Sequence, residues 1–199
     1  AIIEVAEDGS YNEIDRQTLH RHVSAVVARL GEAGVGPGDV VAASGATGAA
    51  ARGIAALFAT AVIDGEPDAQ LGRELRAVKP DVEAQLRPRP PIGDGVLASK
   101  AGATAMLDVS DGLALDARRI AMASGVAIDL DTAAVGDEAA LHGGEDHSML
   151  ATFPAGVELP GGFRPIGLVL EGHGILLDGV PLPPGSGWDP FTAWDGRAG

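Results

Sequence analysis

The 199-residue sequence contains no cysteine, which excludes a disulfide framework, a thiolate zinc centre and a cysteine nucleophile. Aromatic side chains are scarce at 4%, with only two tryptophans, so the placement of each tryptophan carries information. Basic residues are few: 14 Lys and Arg stand against 28 Asp and Glu, for a formal net charge of −14. Such a surface repels phosphate backbones and anionic membranes, which argues against nucleic acid or a lipid surface as a partner. No apolar run approaches the length needed to span a bilayer, and no basic segment precedes an apolar one at the N-terminus, so a cytoplasmic protein is the expectation. What is abundant is hydrophobic material, 46% of residues, enough to build the core of one substantial domain or two small ones. The acidic balance does not oppose a nucleotide ligand, because Mg²⁺ can stand between carboxylates and phosphates.

The most informative stretch is Met106-Leu107-Asp108-Val109-Ser110-Asp111-Gly112-Leu113. Ala103 to Leu107 read as a buried strand, and Leu113 to Met122 as a helix stopped at Ser124-Gly125. Asp108, Ser110 and Asp111 then stand at a helix N-terminus, where two readings are open. In one, the acids complement the helix dipole and Ser110 caps exposed N–H groups. In the other, the carboxylates hold Mg²⁺ while the hydroxyl and free amides face a phosphate.

Elsewhere, Ser10 to Glu13 has capping-box form, and Leu19, Val23, Val26, Val27 and Leu30 recur at helical spacing up to Gly34. Asp39 to Ser44 reads as a strand and Thr47 to Val62 as a small-residue helix suited to close packing on a sheet. Gly45-Ala46-Thr47-Gly48 lies between them, but without the lysine of a phosphate loop it reads better as a close packing point. Ile63 to Gly95 is mixed, with a helix near Leu71 to Val78 and an extended, proline-rich Leu86 to Pro91. Further strands are expected at Val126 to Leu130, Met149 to Phe153, Ile166 to Leu170 and Ile175 to Leu177, with a short helix at Glu138 to His142 and a tight turn at Asp178-Gly179. Alternating strands and helices with a late hairpin predict an α/β (α+β) fold whose mixed sheet is packed by helices. Gly143-Gly144-Glu145-Asp146 sets two acids after a flexible turn, either as a solvated turn or as a ligand contact.

Taken in order, D-V-S-D-G-L, A-S-G-V-A-I-D-L (Ala123 to Leu130), L-H-G-G-E-D-H (Leu141 to His147) and G-W-D-P-F (Gly187 to Phe191) resemble the carboxyl-terminal half of thiamine-monophosphate kinase. This family belongs to the aminoimidazole-ribonucleotide synthetase superfamily. The similarity begins near Gly36-Pro37-Gly38-Asp39, includes Ser44 to Leu57 and Leu86 to Pro91, and runs to about Phe191. It implies a thiamine-monophosphate kinase-like C-terminal domain at 39–199 and leaves 1–38 as an N-terminal helical segment whose origin it does not assign. It further implies that Asp108 and Asp111 bind Mg²⁺, that Ser110 contacts ATP, and that Glu145 and Trp188 contact thiamine phosphate, with Asp146 as an orienting neighbour of Glu145. A carboxylate suits the amino-pyrimidine and cationic thiazolium of that ligand, and an indole face can stack on it.

The resemblance implies ATP-dependent phosphorylation of thiamine phosphate to thiamine diphosphate, with a homodimer formed through an N-terminal domain not represented here. His147, Ser148 and Pro190 depart from the family pattern, and Glu32 stands where the family has an ATP-contacting arginine. The family's N-terminal aspartate motifs have no counterpart in context, and Gly136-Asp137-Glu138-Ala139 echoes one of them out of order. Two rival readings follow. One is a non-catalytic module that binds thiamine phosphate or nucleotide. The other is a fragment of an adenylate-forming enzyme, suggested by Tyr11 to Val41 alone.

Overall fold

The computed structural model describes residues 2–5, 11–14 and 34–183 of the chain. It divides into two compact units, Ala1–Gly34 and Val35–Gly199. In the first, β1 (Ile2–Val5) pairs antiparallel with β2 (Tyr11–Ile14), Ile2 opposite Ile14 and Val5 opposite Tyr11. The capping-box reading of Ser10 to Glu13 is therefore corrected: Tyr11 to Glu13 are strand. The β-branched run Ile2-Ile3-Glu4-Val5 supplies a pairing edge, and pairing overrides the local cap signal. The helix expected across Leu19 to Leu30 lies outside the described residues, as does Trp188.

The second unit is built on a seven-stranded mixed sheet. In chain order its strands are β3 (Val40–Ser44), β6 (Ala105–Asp108), β7 (Ala127–Leu130), β8 (Met149–Phe153), β9 (Arg164–Leu170), β10 (Gly174–Leu177) and β11 (Val180–Pro181). In space the order is β11-β10-β7-β9-β3-β8-β6. Only β10 and β7 run parallel; every other pairing is antiparallel. A two-stranded ribbon of β4 (Val62–Ile63) and β5 (Glu66–Pro67) stands apart from the sheet. The helices are α1 (Ala49–Thr60), α2 (Ala69–Val78), α3 (Pro80–Leu86), α4 (Ile92–Lys100), α5 (Leu113–Ser124), α6 (Thr132–Val135) and α7 (Glu138–His142). The mixed α/β architecture agrees with the expectation from sequence. Among the described residues, no helix is long and apolar enough to cross a membrane.

One core packs α5 and α7 against the sheet through Leu113, Ile120, Ile128, Leu141, Leu150 and Ile166. A smaller core on Ala42, Ala98, Ala151, Phe153 and Phe163 contains an edge-to-face ring pair, Phe153 and Phe163, with centroids 5.4 Å apart. The small-residue helix α1 does pack closely, but the close crossing is with α3: a Cβ on Gly53 would lie 2.0 Å from the Asp81 carbonyl oxygen. The strand read at Ala103 to Leu107 begins at Ala105, and it is a sheet edge with alternating exposure where a buried strand was expected. The Leu86 to Pro91 segment ends α3 and then runs irregularly into α4, a helix the sequence had not suggested.

Candidate functional site

Antiparallel pairing places three turns at one end of the sheet. Ser44 at the end of β3 and Asp108 at the end of β6 both stand opposite Met149, the first residue of β8. The turns after β3 (Gly45 to Gly48) and after β6 (Val109 to Gly112) therefore meet the turn before β8 (Gly143 to Ser148). The contact is backbone to backbone. The Val109 N–H donates to the Ser148 carbonyl at 2.7 Å. A Cβ on Gly144 would lie 2.1 Å from the Ser110 carbonyl oxygen, and one on Gly112 2.5 Å from that of His142. Glycine is required at these approaches because no side chain has room.

Within the turn after β6, organisation comes from downstream. Asp116, in the first turn of α5, is fully buried, and its Oδ2 accepts the backbone N–H groups of Ser110 and Asp111, both at 3.0 Å. Its Oδ1 meets Arg119 Nη1, whose Nη2 lies 2.5 Å from Asp111 Oδ2. Burial raises the Asp116 carboxyl above the ordinary range, against the opposing pull of the Asp111 amide and Arg119. Arg119 is raised in turn, chiefly by its bond to Asp111. The expectation of free amides for a phosphate is thus corrected at Ser110 and Asp111: both amides are bound by Asp116. Nor does Ser110 cap the helix, because Gly112 holds that position without a side-chain cap bond. The Asp108 and Ser110 side chains face solvent, and Asp111 is four-fifths buried.

The turn before β8 divides its acids. Glu145 is exposed, its Oε2 accepting the Gly144 N–H at 3.0 Å. Asp146 is 7% exposed and turns inward, with Oδ1 accepting the Ala50 N–H at 3.0 Å at the start of α1 while Oδ2 is buried without a partner. It serves as a remote cap for α1. That bond, and the left-handed Gly48 whose Cβ would lie 2.4 Å from the Ala140 N, agree with Gly45 to Gly48 as a packing point. Arg164, which the sequence did not single out, holds the same turn from β9 through the Ala43 and Gly45 carbonyls and Thr47 Oγ1. Asp137 caps α7 through the Ala140 N–H and pairs with Arg52 at 3.0 Å, a structural use that accounts for the out-of-order Gly136 to Ala139 motif.

Ser110, Asp111 and Glu145 therefore belong to one composite corner, with Asp108 at its strand end. A cavity of about 240 Å³ opens beside it, lined by Ala46, Ala84, Arg87, Arg89 and Asp146 among others. A larger one of about 530 Å³ lies against β7 and β9, and among the described residues its lining includes none of the site residues expected from sequence. Asp108 and Asp111 are hard oxygen donors suited to Mg²⁺. Among the described residues no group of three or more acidic, histidine or cysteine side chains converges to hold an ion, so these two would serve as part of a coordination sphere.

This fold and corner define an α/β domain carrying a two-turn carboxylate site, and comparison with known proteins specifies it further. No protein-family model matches the chain. Thiamine-monophosphate kinase of Mycobacterium tuberculosis is 42% identical over 130 residues, covering 56% of this chain and 38% of that protein. The Methanopyrus kandleri thiamine-monophosphate kinase is 36% identical over 159 residues, covering 71% and 47%. Among solved structures, AaThiL complexed with AMPPCP and TMP matches with a TM-score of 0.63 and 31% identity, over 79% of this chain and 53% of that one. The Aquifex aeolicus thiamine-monophosphate kinase matches with a TM-score of 0.60 and 30% identity, over 75% and 53%. The chain is homologous to the thiamine-monophosphate kinases and shares their fold, and it spans about half the length of these relatives.

Proposed function

We propose that the chain supplies the C-terminal half of a thiamine-monophosphate kinase, a transferase that moves the γ-phosphoryl group of ATP to thiamine phosphate. A terminal phosphate oxygen of thiamine phosphate attacks the γ-phosphorus, the bond to the β,γ-bridging oxygen breaks, and thiamine diphosphate and ADP leave. The observation that carries this reading is the docking of the Asp108-to-Gly112 turn against the Gly143-to-Asp146 turn, in a chain 31% identical to a structure complexed with AMPPCP and TMP. Asp108 and Asp111 hold Mg²⁺, Ser110 contacts ATP, and Glu145 with Trp188 holds thiamine phosphate. Held there, Mg²⁺ would supply charge neutralisation on the phosphates beside these carboxylates. The chain's own residues act by position: the buried Asp116 fixes the Ser110 and Asp111 backbone, and Gly144 lets the substrate turn approach it. We further assign the protein to the cytoplasm and expect a homodimer formed through the other half of the kinase.

Because in-line phosphoryl transfer relies on several donors clamping both phosphate groups, the 199 residues alone should give little or no thiamine diphosphate. Joining them to a family N-terminal domain should restore turnover. Robust turnover by the chain alone would show that the active site is elsewhere. Asp108→Asn and Asp111→Asn should each weaken Mg-nucleotide binding in a folded chain, and unchanged titrations in both would remove the metal assignment. Quenching or enhancement of Trp188 fluorescence by thiamine phosphate checks the stacking role. A second reading is a binding module without catalysis. Thiamine phosphate binding without ADP formation, in the chain joined to its N-terminal domain, would select it.

A further inference from the structure

Arg119 spans two carboxylates of unequal freedom. Asp116 is fully buried and committed through Oδ2 to two backbone amides, so it cannot leave, whereas Asp111 is partly exposed at the corner. One arm of the guanidinium, Nη1, is therefore anchored, and the other, Nη2, occupies Asp111 Oδ2, an oxygen that the proposed function gives to Mg²⁺. The Arg119 side chain is 47% exposed, so its outer arm has room to move. Guanidinium forks match phosphate geometry as well as carboxylate geometry.

We propose that Arg119 is a nucleotide-contacting residue that works by exchange: without metal its Nη2 neutralises Asp111, and when Mg²⁺ takes that oxygen the freed arm, still anchored on Asp116, turns to a phosphate oxygen of the nucleotide. This rests on the proposed function and adds a residue to it. Three features support it: Arg119 is already within ion-pair distance of the proposed metal ligand, its anchor is rigid, and in a chain of net charge −14 a cation beside an acidic corner offsets repulsion of the incoming phosphates.

The exchange makes a prediction that a purely structural arginine does not, because Arg119 competes with the metal but assists the nucleotide. In the full 199-residue chain, Arg119→Gln should bind Mg²⁺ alone more tightly, by several-fold, measured by titration calorimetry or by Mn²⁺ competition in EPR. The same variant should bind MgADP about tenfold more weakly, the scale of one charge-assisted hydrogen bond. Arg119→Lys keeps the charge but loses the fork, so its Mg²⁺ affinity should stay within about twofold of the parent while MgADP binding falls. Circular dichroism and thermal unfolding establish that both variants are folded. If Arg119→Gln shifts both affinities in one direction, or shifts neither, the exchange is wrong while the proposed function stands. If the parent chain binds neither Mg²⁺ nor MgADP, the proposed function fails and takes this assignment with it.

Discussion

Asp116 and Asp146 are both buried aspartates that accept backbone N–H groups in the corner, yet one is fully satisfied and the other is not. Asp116 binds two amides with one oxygen and Arg119 with the other. Asp146 binds one amide, from a residue 96 positions away, and leaves its second oxygen buried and unpartnered. Burial of a charge is tolerable when hydrogen bonds and a counter-ion replace water, and costly when they do not. The first aspartate therefore holds the turn after β6 firmly. The second fixes α1 and lines the cavity that Arg87 and Arg89 also line.

The largest effect should come from Asp116→Ala, which leaves the Ser110 and Asp111 amides without their acceptor and Arg119 with Asp111 alone: a buried donor left unsatisfied costs about 1–3 kcal/mol, measurable by urea unfolding. Gly144→Ala should follow, since its Cβ would collide with the Ser110 carbonyl; overpacking of this kind costs about 1–3 kcal/mol and should weaken Mg-nucleotide binding by parting the turns. Asp146→Ala removes a helix cap, a loss of about 1 kcal/mol. Asp146→Asn keeps an acceptor for Ala50, so its stability should stay within about 0.5 kcal/mol of the parent. A large loss in Asp146→Asn would show that the two aspartates are equivalent after all.

The smallest effect sharpens the comparison through pH. Asp137 is exposed and held below the usual carboxylate range, chiefly by the Ala140 amide. A depressed folded value means that its stabilisation is present above the unfolded value and lost as pH falls through the folded one. Asp116 has the opposite sign: with a raised folded value, its contribution is present below the unfolded value and lost as pH rises through the raised one. Acid unfolding profiles of Asp137→Asn and Asp116→Asn should therefore depart from the parent in opposite directions below about pH 5.

The strands β7 to β10, the hairpin at Asp178-Gly179 and the helices α5 and α7 were legible because apolar runs there are bounded by turn residues. Helix α4 was not: two glycines behind a proline run leave no apolar periodicity, yet Gly95 is helical, and a Cβ there would lie 3.1 Å from Met149 Cε. The site motifs were legible as motifs, while their partners were not. Asp116 carried a faint signal, an acid on the same helix stripe as Leu113, Ala117 and Ile120, where burial demands a partner. Arg119 and Arg164 carried none, because nothing in local sequence says which carbonyl or carboxylate a surface arginine will meet.

The inner strand β3 has a consequence for how the molecule is made. Ser44 pairs with Met149, 105 positions later, and Val40 pairs on its other side with Leu168. Contacts this distant in sequence slow folding, since a long loop must close before any of them forms. On a ribosome, Val40 to Ser44 emerges with both hydrogen-bonding edges bare and waits while most of the domain is synthesised. The corner is assembled from the same late pairings, so a nascent chain acquires its two acidic turns as a working pair only after β8 has been delivered.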